Sequence, residues 1–195
     1  MKDLFIKRFF YYKEIGDKTL VQLSEEEMFW QYNEESNSVA IIIKHIAGNM
    51  LSRWTNFLSE DGEKNWRNRD LEFDNSFESK TEVLEYWEKG WECLFSALSQ
   101  ITDENINSTI YIRGEAHSVL DAVLRQLAHY PYHVGQIIYV GKMMKNTDWQ
   151  TLSIARNKSA DFNQQMKSKF DSNQENASPV CFAKSDEVRD DYKSE

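Results

Sequence analysis

Between His117 and Asn146 the apolar residues Leu120, Leu124, Leu127, Val134, Ile137, Ile138 and Met144 recur at helical spacing. A stripe of that length predicts a long amphipathic helix, which is stable in water only when other elements cover its apolar face. Three further segments show the same period and supply candidate partners. Leu4, Phe5, Phe9 and Tyr12 predict a first helix ending near Gly16. A second starts at Asn37 or Ser38 and runs through Ile42, His45, Ile46, Met50, Trp54 and Phe57 until "EDG" stops it. A third follows Ser79 with Val83, Leu84, Trp87, Trp91, Leu94, Phe95 and Leu98.

The connections are less regular. Ser24 followed by Glu27 reads as a capping box opening a short turn that carries Met28, Phe29 and Trp30. Residues 60–76 form a long charged loop with aromatics inside it, and "NSTIYIRGE" is β-branched and alternating, a short extended segment. With only 7 glycines and 2 prolines in 195 residues, a turn-rich sandwich or barrel is disfavoured and an all-α domain expected. That domain is placed at residues 1–165, with a weakly structured tail at 166–195.

A net charge of -9 without any basic run argues against nucleic acid as a partner. Cys93 and Cys181 are the two cysteines and form no C-x-x-C pair, so neither a disulfide framework nor a cysteine zinc site is indicated. The N-terminus lacks the pattern of a signal peptide, and "VAIII" is far shorter than the roughly 20 residues of a membrane span. A cytoplasmic protein without membrane attachment is the expectation.

The chemistry concentrates in "HYPYHVGQ", residues 129–136. Positions i and i+4 put His129 and His133 on one helix face, within reach of one cation. Two ligands do not complete a site, because catalytic zinc commonly takes three protein ligands. His117 would lie about 18 Å from His129 along a straight helix, at about 1.5 Å per residue, which leaves His45 as the remaining imidazole. A di-iron carboxylate site would need Glu-x-x-His, and a zincin-type site Glu directly after the first histidine; neither is present.

The pair alone is equally consistent with core histidines. The ladder Asp121, Arg125, His129, His133 tips the reading toward a lined cavity, since buried polar groups need partners. Pro131 should kink the helix between the two histidines. Gln136 and Asn49, one turn from His133 and His45, can support ligands or substrate.

"IIIKHIAGNMLSRW", "RGEAHSVLDAVLRQLAHYPYHVGQIIYVGK" and "LSIARNKS" together resemble the DinB/YfiT-like metalloenzyme superfamily over about residues 1–165, in a branch without assigned function. The resemblance implies a four-helix bundle, to which the charged 60–76 segment and the polar composition after about Ser172 add long connecting loops and a flexible C-terminal tail that lies outside the resemblance. It also implies a mononuclear metal held by His45 from the second helix and by His129 and His133 from the fourth. Relatives of this type often form dimers, and some transfer low-molecular-weight thiols such as bacillithiol to electrophiles.

The expected function is therefore that of a thiol S-transferase. A divalent ion, zinc or nickel, would lower the pKa of a thiol cofactor so that it attacks a small electrophile, with Arg125 holding a cofactor carboxylate or else pairing with Asp121. A metal-dependent hydrolase and a non-catalytic ligand- or partner-binding bundle are the alternatives, and a homodimer is an open possibility.

Overall fold

Residues 1–176 are described by the structure, a computed structural model. The first element, α1 (Lys2–Leu20), does not stop at Gly16. A Cβ there would lie 2.7 Å from the Trp87 ring, and the Trp87 indole donates to Asp17 Oδ1 at 2.7 Å. Gly16 is thus a packing position that lets the ring approach the helix, not a helix stop. Gly16→Ala should add overpacking of about 1–3 kcal/mol. This exceeds the helix-propensity gain of about 1 kcal/mol. A net loss of up to about 2 kcal/mol in chemical denaturation is expected, and an unchanged or raised midpoint would contradict this role.

The short α2 (Glu25–Phe29) opens on the Ser24 and Glu27 capping box, as its sequence predicts. Next, α3 (Val39–Trp54) begins where the Ser38 hydroxyl accepts from the Ile41 N–H. It ends at Trp54, before Phe57, because Asn56 turns into the left-handed region at φ 50. Phe57 is still buried, packed through the turn instead of the helix. After a connection containing a single 3-10 turn (Asp70–Phe73), α4 (Lys80–Ser99) starts from a Ser79 cap.

The alternating segment is half of an antiparallel hairpin, β1 (Thr109–Ile112) with β2 (Glu115–Ser118), Ile110 facing His117 across it. Arg113 and Gly114 make its two-residue turn with φ 57 and 73, the backbone a tight hairpin requires. The fold is therefore mostly helical, of the expected all-α-like class, with one small two-stranded sheet. His117 belongs to β2, outside the helix that follows it. That helix, α5 (Val119–Lys145), is capped by Ser118 and continues through Pro131.

Helices α1, α3, α4 and α5 meet in a cycle, since α3 touches α4 and α5, and α1 touches the same two. Nearly every residue of α3 is buried, so it forms the centre of the core. Trp87, Trp91, Phe9 and Tyr130 surround it as a run of tilted and edge-to-face rings, with centroids 5.3 to 6.2 Å apart. Among the described residues no helix is long and apolar enough to cross a membrane.

A second unit starts at Ser153 and contains α6 (Ser159–Asn176). Residues 166–176 of the expected weakly structured tail are thus helical. The remainder of that tail, with Cys181, lies outside the described residues.

Candidate metal centre

Along α3, His45, Asn49 and Arg53 follow one another at intervals of four residues, 6%, 7% and 4% exposed. This is a polar stripe on an otherwise apolar helix, and its partners come from α5 and from the 60–76 connection. Imidazoles from His45, His129 and His133 form one cluster, with ring centroids 5.6, 4.9 and 4.7 Å apart. One ligand nitrogen from each lies within 4.8 Å of the others, so together the three could hold a metal ion.

The hydrogen bonds fix which nitrogen faces inward. His45 Nδ1 lies 3.0 Å from Glu72 Oε2, His129 Nδ1 3.1 Å from Gln126 Oε1, and His133 Nδ1 2.7 Å from Gln136 Oε1. Each of those oxygens can only accept, so each Nδ1 carries the hydrogen and each Nε2 is left with a lone pair. The Nε2 atoms of His129 and His133 stand 3.1 Å apart. Two acceptors that close repel unless a cation lies between them. On tetrahedral zinc, with bonds of about 2.0–2.1 Å, two nitrogens would stand roughly 3.3 Å apart, so the donor set and its spacing suit such an ion.

Glu72 is itself held. Arg67 donates from Nε to Oε1 at 2.7 Å and from Nη2 to Oε2 at 2.9 Å, and both side chains are almost wholly buried. Burial works against an ionised Glu72, but the hydrogen bonds from His45 and Arg67 outweigh it and hold the carboxyl below its usual range. Carboxylate backing of this kind fixes the orientation and tautomer of a ligating imidazole. Phe73, beside Glu72, stacks on His45 with centroids 5.1 Å apart.

A model of a family described as protein of unknown function (DUF1572) matches residues 2–158. The chain belongs to the DUF1572 family. In this DUF1572 chain the matched span contains the three histidines and every residue that orients them. Comparison with curated proteins gives no match.

Burial drives the pKa of His129 down to about 3, and the neighbouring His133, His45, Arg53 and Arg67 reinforce it. His133 is lowered too, again chiefly by burial. Both rings are therefore neutral at physiological pH, the form that binds metal. In the unfolded chain they would titrate near 6.5. As pH falls from about 6.5 toward 3, the unfolded chain takes up protons that the folded one does not, so stability is lost across that window. Denaturation midpoints of chelator-treated protein over a pH series should fall there, and the fall should shrink when both histidines are replaced.

The other residues singled out by sequence are distributed more widely. Asn49 Oδ1 accepts from the Tyr130 hydroxyl at 3.0 Å, which in turn accepts from Trp54 Nε1 at 3.1 Å. Burial raises the Tyr130 pKa, so this phenol stays neutral and braces α3 against α5. Asp121 does not continue the ladder. It pairs with His117 at 2.6 Å, on the hairpin side, and not with Arg125.

Arg125 lines a cavity of about 170 Å³ that also includes His45 and His129. Gln136 borders a separate, wider cleft of about 490 Å³ with Tyr132 and Tyr139. Sequence reasoning missed Arg67, Glu72 and Gln126. Gln126 had a signal: it precedes His129 by the same three residues by which Gln136 follows His133.

Proposed function

We propose that this chain is a metal-dependent enzyme of the DinB/YfiT type, with α1, α3, α4 and α5 as its four-helix bundle. In this reading His45, His129 and His133 hold one divalent ion, zinc or nickel, and the reaction is the transfer of a low-molecular-weight thiol to a small electrophile. One observation carries it. Three imidazoles converge with their Nε2 lone pairs free, because a separate acceptor anchors each Nδ1.

A bound divalent ion supplies the positive charge that favours a thiolate near neutral pH. The chain's own groups bind and orient. Arg125 offers a planar fork for a carboxylate of the thiol compound. Asn49, its carbonyl occupied by Tyr130, keeps its amide hydrogens as donors. The cleft beside Gln136, Tyr132 and Tyr139 has room for an aromatic or apolar electrophile.

Metal content of protein purified without a tag, followed by thiol dependence with a model aryl halide, tests the reading. About one ion per chain and turnover that requires glutathione or bacillithiol are expected. Equal turnover without thiol would favour a metal-dependent hydrolase. Well under one ion per chain would overturn the metal centre itself.

A further inference from the structure

The cavity beside His45 and His129 has an unusual wall. Arg53, Arg67, Arg69, Arg113 and Arg125 all line it, in a chain whose net charge is -9. These arginines come from α3, the 60–76 connection, the hairpin turn and α5, so tertiary folding gathers them and no local basic run does.

Arg53 is the most telling of them. It is 4% exposed, and its Nε and Nη1 are buried without a hydrogen-bond partner. Arg67 Nη1 also lacks a hydrogen bond, with Glu63 Oε2 standing 3.6 Å away. A buried guanidinium with idle donors is costly, and the cost is relieved when an anion supplies acceptors.

The surrounding carboxylates do not neutralise the group. Glu72 is committed to Arg67 and His45, and Glu63 to Arg113 at 3.1 Å. Asp61 accepts from the backbone N–H groups of Glu63, Arg113 and Gly114 while acting on Arg53 through space. Five guanidinium groups line the cavity, and no carboxylate is among the residues that line it. Arg125 forms no ion pair among the described residues.

We propose that this cavity binds the dianionic part of a small molecule, a dicarboxylate or a phosphate, through Arg53, Arg67 and Arg125, with Arg69 and Arg113 at its rim. Planar forks match either group with paired hydrogen bonds. A cavity of about 170 Å³ takes a small anionic group rather than a large ligand. The remainder of the molecule then lies against His45 and His129, which share the wall. The site thereby selects substrates or cofactors that carry two charges close to their reacting end, and it does so whether or not an ion is held by the histidines.

Calorimetric titration of chelator-treated, metal-free protein at low salt tests this apart from metal binding and turnover. The probes are succinate and inorganic phosphate, with acetate as the singly charged control. Succinate, phosphate or both should bind at one site per chain, at least about tenfold more tightly than acetate. The tighter of the two identifies the group as carboxylate or phosphate.

Arg125→Gln, at an exposed position, and Arg53→Lys should each weaken binding about tenfold or more, since each removes charge-assisted hydrogen bonds. Lys7→Gln on α1 should leave it unchanged. Binding no tighter than acetate, or equal binding by wild type and Arg125→Gln, would overturn the proposal.

Discussion

Replacing His129 and His133 together by alanine should abolish metal uptake, taking tag-free protein from about one ion per chain to near zero. The expectation is sharp because His45 alone cannot hold an ion against a chelator, whereas three imidazole nitrogens within 4.8 Å of one another match the three protein ligands that catalytic zinc commonly takes. The readout is double. Metal content should fall, and the rise in Tm on adding zinc or nickel that is expected of the wild type should disappear.

At free metal a thousandfold above Kd that rise corresponds to about 4 kcal/mol. Without metal the comparison should differ. The double variant loses two imidazole hydrogen bonds, to Gln126 and Gln136, of about 0.5–1.5 kcal/mol each. It also loses the opposed lone pairs at 3.1 Å, so the metal-free proteins should unfold at similar denaturant concentrations. A large stability loss with metal uptake intact would make the pair core residues instead of ligands.

Those histidines were legible because helical spacing is a local property. An i, i+4 pair shares a face wherever the helix packs, and a histidine amid Ile42, Ile43 and Ile46 must point into a core. The long helices were legible for the same reason, through their apolar period and their serine caps. What stayed hidden depends on contacts across the fold.

Gly16 reads as a helix stop until Trp87 is placed over it. The hairpin escapes notice because Arg113 occupies a left-handed turn position more often filled by asparagine, aspartate or glycine. Arg67 and Glu72 lie in a charged connection with no periodicity, and only its return along α3 brings Glu72 to His45. The arginine cavity was hidden likewise, since its five members share no local pattern.

Glu72→Ala carries the other large expected effect, and it separates two roles of one carboxylate. The side chains of Glu72 and Arg67 are 8% and 2% exposed, so removing the acid leaves a buried guanidinium largely uncompensated. Breaking a buried pair in this way costs about 3–5 kcal/mol. Glu63, 3.6 Å from Arg67 Nη1, places the expectation near the lower end. That is a large part of the roughly 5–15 kcal/mol that holds a domain together, and denaturant midpoints will report it.

Glu72 also accepts from His45 Nδ1, and loss of such a partner typically weakens metal binding about 10–100-fold. The double variant Glu72→Ala with Arg67→Met tells the two effects apart. Removing both charges should restore most of the stability, because no buried ion is then left unpaired. Metal affinity should stay low, because His45 has still lost the group that fixes its ring and tautomer. Recovery of stability and affinity together would mean that Glu72 acts only on the fold, and that the His45 imidazole is oriented by its packing against Phe73 alone.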